Sequence, residues 1–138
     1  MKIELNRVSD TFHLEAVNEG GNTVHLDASP DIGGTNKGMR PMQLLLTALG
    51  ACSSIDVINI LKKQKQELND IKVTVTGERE KDAVPSLFVE AHIHFKLFGS
   101  IDHEKAKKAV SLAVDKYCSV AKTLEKTAKV SHSFEIIK

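Results

Sequence analysis

The chain has 138 residues, with 19 Lys and Arg against 18 Asp and Glu and a net charge of +1, so no charge excess draws it to nucleic acid or an anionic membrane. That length fits one domain, residues 1–138, around a single core. No apolar signal segment follows the opening MKIELNRV; a cytoplasmic location is expected, where two cysteines serve as free thiols or a redox couple rather than as a structural staple.

Residues 2–8, 12–17 and 23–27 alternate weakly, with turn chemistry from Asn18 to Asn22, and predict a small antiparallel meander. Residues 28–38, ASPDIGGTNKG, form a loop. A helix begins at Pro41, whose missing N–H would be an orphan in the first turn anyway. From Met42 to Leu61 it is apolar most of the way round, so it is expected to be buried centrally. Its exceptions Gln43, Thr47, Gly50 and Ser54 fall on one narrow stripe, where another backbone could approach closely. Cys52, Asp56 and Asn59 line another face, one turn apart. A membrane span is rejected, because seven polar or glycine positions lie between Arg40 and Lys62, Asp56 among them.

Beyond the helix the lysines mark a solvated end, and Asn69 and Asp70 are expected to turn the chain into a strand whose Ile71, Val73 and Val75 alternate with polar residues. Lys81 to Ser86 is a hairpin connection. The strand from Leu87 to Phe98 should place Leu87, Val89, Ala91, Ile93, Phe95 and Leu97 on one face, and Phe88, Glu90, His92, His94, Lys96 and Phe98 on the other. Gly99 and Ser100 are expected to end it, and Asp102 to cap a second helix running at least to Tyr117. Residues 118–128 either continue that helix or start a short one capped by Ser119, and residues 130–137 alternate as a last strand. The order predicts an α+β fold, with helices on one face of a mostly antiparallel sheet.

Cys52 and Cys118 are 66 residues apart, each on a predicted helix among small residues. Buried cysteine often merely fills space, and spacing alone does not say whether these two meet. If they do, thiol peroxidase chemistry fits: a thiolate attacks an O–O bond and the resulting sulfenic acid is captured by the second thiol. The helix dipole cannot activate Cys52, eleven residues past Pro41, so a cation must, and Arg7, Arg40 and Arg79 are the only arginines. An apolar surround would favour an organic hydroperoxide. Asp56 is given no catalytic role, since a carboxylate near Cys52 would oppose its ionisation. His92 and His94, about 7 Å apart on one strand face, would need His25, His132 or a thiolate to complete a zinc site. They are read as solvent-facing, and no metal is expected.

The run PMQLLLTALGACSSIDV, followed far downstream by KYCSVAKTLEK, resembles the OsmC/Ohr family of thiol-dependent peroxide reductases, most closely its YhfA-like branch. The resemblance covers nearly the whole chain. It implies an OsmC-like α+β fold with two long helices, intertwined as a homodimer with its sites at the subunit interface. It further implies Cys52 as peroxidatic and Cys118 as resolving thiol, acting on organic hydroperoxides with a dithiol reductant and no cofactor. Two positions depart from the pattern: Met42 stands where the family's reductases carry a glutamate after the helix-opening proline, and Phe12 or His13 where they carry the supporting arginine. Arg40, Arg79 or Arg7 would have to substitute. The competing reading is a non-enzymatic module of the same fold that binds a hydrophobic or electrophilic small molecule between its subunits.

Overall fold

In the computed structural model, which describes residues 1–138, the N-terminal alternation becomes β1 (Ile3–Arg7), β2 (Leu14–Asn18) and β3 (Thr23–Leu26), paired antiparallel in that order. The loop that follows is organised by Asp27, only 2% exposed, whose carboxylate accepts from the amides of Ala28, Thr35 and Lys37 and from the Thr35 hydroxyl. The Lys37 amide above all holds this carboxyl below its ordinary pKa, against the opposing effect of burial. By its contacts the chain divides into two units, residues 1–45 and 46–138, with the boundary inside the long helix.

That helix, α1 (Pro41–Lys63), starts at the expected proline, and Gln43 caps it by accepting from the Arg40 amide at 3.0 Å. It buries a single stripe, Leu49, Ser53, Val57 and Leu61, spaced four residues apart as one face of a 3.6-residue helix requires, with Gly50 beside Leu49. The opposite side stays open in the single chain, with Ile55 67% and Ile58 42% exposed. At Gly50 it is a side chain and not another backbone that comes close: a Cβ there would meet Val75 Cγ2 at 2.8 Å. By length and apolarity α1 would suffice to cross a membrane, yet its buried stripe is already occupied by the protein's own sheet and helices.

The second sheet is β4 (Glu67–Arg79), β5 (Phe88–Ser100) and β6 (Lys129–Ile137), in the order β4-β5-β6. β4 and β5 pair antiparallel and β5 and β6 parallel, the crossover running through α2 (His103–Leu112), a π-helical turn (Ala113–Tyr117) and α3 (Ser119–Leu124). Ala91, Ile93, Phe95 and Leu97 of β5 meet Leu49, Val57 and Leu61 of α1 and Ala106, Ala109 and Val110 of α2 in one cluster. Each fully buried Leu, Ile, Val or Phe contributes roughly 1.5–3 kcal/mol through removal of apolar surface from water. The small alanines of α2 let that helix lie close to the sheet.

Four expectations are corrected. Asn69 and Asp70 do not turn the chain; the reversal comes earlier, where Lys65 takes a positive φ of 58°, and both residues lie inside β4. Leu87 and Val89 do not share the inner face. A bulge at Glu78 and Arg79 pairs Arg79 with Phe88, so Phe88 is buried over Gly77 while Leu87 and Val89 are each 40% exposed. Gly99 does not break β5, which runs through it and ends at Ser100: Gly99 sits in a second irregularity at φ +143°, where a Cβ would collide with the Glu67 carbonyl. The helix capped by Asp102, which accepts from the Lys105 amide, gives way to the π-helical turn after Leu112, and α3 is capped by Cys118 rather than Ser119.

Candidate functional site

Cys52 is placed by α1, one residue before the buried Ser53, and is itself half-buried against the core. Cys118 is placed by the π-helical turn. Its amide donates to the Ala113 carbonyl at 2.8 Å, one residue further back than in an α-helix, and the wider turn releases Cys118 into an extended conformation, φ −71° and ψ 109°. In that conformation it caps α3, with Sγ accepting from the Ala121 amide at 3.3 Å. The residue is fully buried.

The two thiols, 66 residues apart in sequence, are close enough that Cys52 raises the Cys118 pKa, as a hydrogen-bonding neighbour and as a like charge. Both are free thiols. Burial pushes the Cys118 thiol above its ordinary pKa, and Cys52 adds to that, while the Ser53 hydroxyl and the Ala121 amide pull the other way. Ser53 Oγ is fully buried and has no partner with proper hydrogen-bond geometry. It nonetheless lies close enough to Cys118 for its hydroxyl to favour the thiolate. A buried hydroxyl without a partner costs about 1–3 kcal/mol. Nothing in the sequence reading singled out Ser53; its only signal there is a polar residue on the face that must be buried if Cys52 flanks the core.

No cation is among the groups that act on Cys118. Arg79 commits Nε and Nη2 to the Ser86 carbonyl, at 3.1 and 2.8 Å, and so braces the β4–β5 connection. Arg7 ends β1 in the first unit, and Arg40 donates from Nη1 to Asn36 Oδ1 at 3.1 Å. At the two positions that depart from the family pattern, expected to line the approach to the thiol, Met42 is half-buried in the first turn of α1 and Phe12 is 49% exposed beside Gly33. Asp56 is half-buried, one helical turn beyond Cys52.

His92 and His94 do lie on the outer face of the second sheet, but bonded rather than free. Ser131 Oγ, His92, Ser133 Oγ, His94 and Glu135 form a ladder with contacts of 2.7, 2.8, 2.7 and 3.3 Å. His132 pairs instead with Asp115 at 3.1 Å, and His25 with His13 at 2.8 Å. No three His, Cys, Asp or Glu side chains converge so as to hold a metal ion.

The sequence model of OsmC-like proteins matches residues 34–133. Over 103 residues, 74% of this chain and 76% of the relative, the chain is 41% identical to protein YhfA of Escherichia coli K12. A hypothetical protein from Aquifex aeolicus is 30% identical and superposes with a TM-score of 0.80 over 99% of this chain and 97% of its own. A Legionella pneumophila structure described as an organic hydroperoxide resistance protein OsmC shares the fold at 17% identity, with a TM-score of 0.73 over 98% of this chain and 97% of its own.

Proposed function

From the premise that this chain belongs to the OsmC-like protein family, we propose that it is a thiol-dependent peroxidase of the reducing cytoplasm that consumes organic hydroperoxides. The observation that carries this reading is the pairing of a half-exposed Cys52 with a fully buried Cys118 whose pKa it helps to raise. The Cys52 thiolate attacks the terminal oxygen of the hydroperoxide; the O–O bond breaks and the alkoxide leaves as alcohol after taking a proton. Cys118 then attacks the Cys52 sulfenic acid, releasing water and forming a disulfide. A dithiol reductant returns both cysteines to thiols. Likeness to a protein described as an organic hydroperoxide resistance protein supports the substrate class.

The exposed Ile55 and Ile58 support a homodimer in which a second copy covers the open side of α1 and walls the approach to Cys52. With Met42 and Phe12 at the departing positions, the cation that would activate Cys52 must come from Arg40, Arg79 or Arg7, of which Arg79 is bonded to the Ser86 carbonyl and Arg40 to Asn36. One equivalent of cumene hydroperoxide should convert the protein to an intramolecular Cys52–Cys118 disulfide, seen by peptide mapping under non-reducing conditions. Met42 and Phe12, standing where the family's reductases carry a glutamate and an arginine, favour the second reading, a binding module for a hydrophobic or electrophilic small molecule. Thiols that stay inert to the hydroperoxide would select that module and sink the peroxidase.

A further inference from the structure

Reduction of a Cys52–Cys118 disulfide poses a problem of its own. Cys118 is fully buried and Cys52 is not, so an incoming thiolate can reach only the Cys52 sulfur. The Cys118 sulfur must therefore leave as a thiolate, inside a core that disfavours charge. Two donors lie beside it. The Ala121 amide already points at Sγ from 3.3 Å, and the Ser53 hydroxyl, fully buried and without another partner, sits on the residue next to Cys52. A hydroxyl hydrogen rotates freely, so a full negative charge on sulfur would supply the alignment that the neutral thiol does not. As mere filler, an alanine would occupy the same place without burying an unpaired polar atom.

We propose that Ser53 is a positioning residue for the reductive half of the cycle, its hydroxyl and the Ala121 amide together holding the Cys118 sulfur as the leaving thiolate. The proposal rests on the disulfide chemistry proposed above. A thiolate of a dithiol reductant attacks Cys52 Sγ; the Cys52–Cys118 bond breaks and its electron pair departs on Cys118 Sγ. The mixed disulfide between Cys52 and the reductant is then broken by the reductant's second thiolate, which frees Cys52 and leaves the reductant oxidised. The same two donors have no such task in the first oxidative step, where the sulfur that attacks the hydroperoxide is Cys52. Ser53 thereby separates the attack on the peroxide from the steps in which the Cys52–Cys118 bond forms and breaks.

The test is stopped-flow reduction of the Cys52–Cys118 disulfide by dithiothreitol in the wild type and Ser53→Ala, with the disulfide made by cumene hydroperoxide and, in parallel, by diamide. Reduction of Ser53→Ala should be roughly three- to tenfold slower, because a poorer leaving thiol departs more slowly, while the first step with the hydroperoxide, formation of the Cys52 sulfenic acid, keeps the wild-type rate. In a Cys52→Ala background, absorbance at the thiolate band should show the Cys118 titration moving up by about one pH unit when Ser53 becomes Ala, the shift that corresponds to a tenfold loss of anion stabilisation. Such a shift is not expected of a residue that only fills space. Equal reduction rates and an unmoved titration overturn the role of Ser53 and leave the peroxidase reading standing. If diamide forms the disulfide and the hydroperoxide does not, the peroxidase reading falls, and the rate comparison still decides on Ser53.

Discussion

At position 118 a thiol stands where helices usually begin with Ser, Thr, Asp or Asn. Cys118 caps α3 through its sulfur and is also the buried half of the thiol pair, so the two roles separate by substitution. Cys118→Ser keeps a capping oxygen and Cys118→Ala does not; the alanine variant should be less stable than the serine variant by about 1 kcal/mol in urea unfolding. Neither can form the disulfide. The raised pKa of Cys118 also predicts a direction with pH. The folded state keeps the proton to higher pH than the unfolded chain, so this contribution is whole below the ordinary thiol value of about 8.5 and is lost as pH rises through the folded value. The fall in melting temperature on the alkaline side should be shallower in Cys118→Ala than in the wild type.

Among the elements, α1 carries the sharpest division of labour. Its inner stripe is full: Leu49 is completely buried, and Leu49→Ala should cost about 2–5 kcal/mol of stability by chemical denaturation. Its outer side holds the 67%-exposed Ile55, and Ile55→Lys should leave the fold of the chain intact while shifting sedimentation from dimer to monomer. An Ile55→Lys protein that still sediments as a dimer would remove this side of α1 from the proposed interface. The sequence showed α1 as apolar nearly all round but not which side a single chain would cover. Both sides are apolar, and only the partners in β4, β5 and α2 choose between them. In β5, strict alternation was a good guide from Ala91 to Leu97 and failed at Leu87 to Val89. A bulge inserts one residue and exchanges the faces beyond it, and it carries no residue signature of its own here.

Across the whole molecule, the two units draw their cohesion from different sources. Residues 46–138 share one apolar cluster, whereas the loop from Ala28 to Lys37 is held by its own backbone turns and by one carboxylate, Asp27, with the four bonds it accepts. Because those bonds hold the Asp27 pKa below the unfolded value, their contribution is present above about pH 4 and is lost as pH falls through the folded value. Amide exchange followed by NMR should show Thr35 and Lys37 losing protection in acid before the strands of the second sheet do, and losing it at neutral pH in Asp27→Ala.

By itself the sequence determined the element order, the start of α1 at Pro41, the Asp102 cap and the family, because each rests on neighbouring residues or on a run of letters. Tertiary structure alone decided that β6 joins β5 in parallel, that Cys118 rather than Ser119 caps α3, and that Ser53 and two remote sulfurs share one buried space. Those facts depend on how a crossover folds back over a sheet, and contacts between residues 66 positions apart leave no trace in local periodicity.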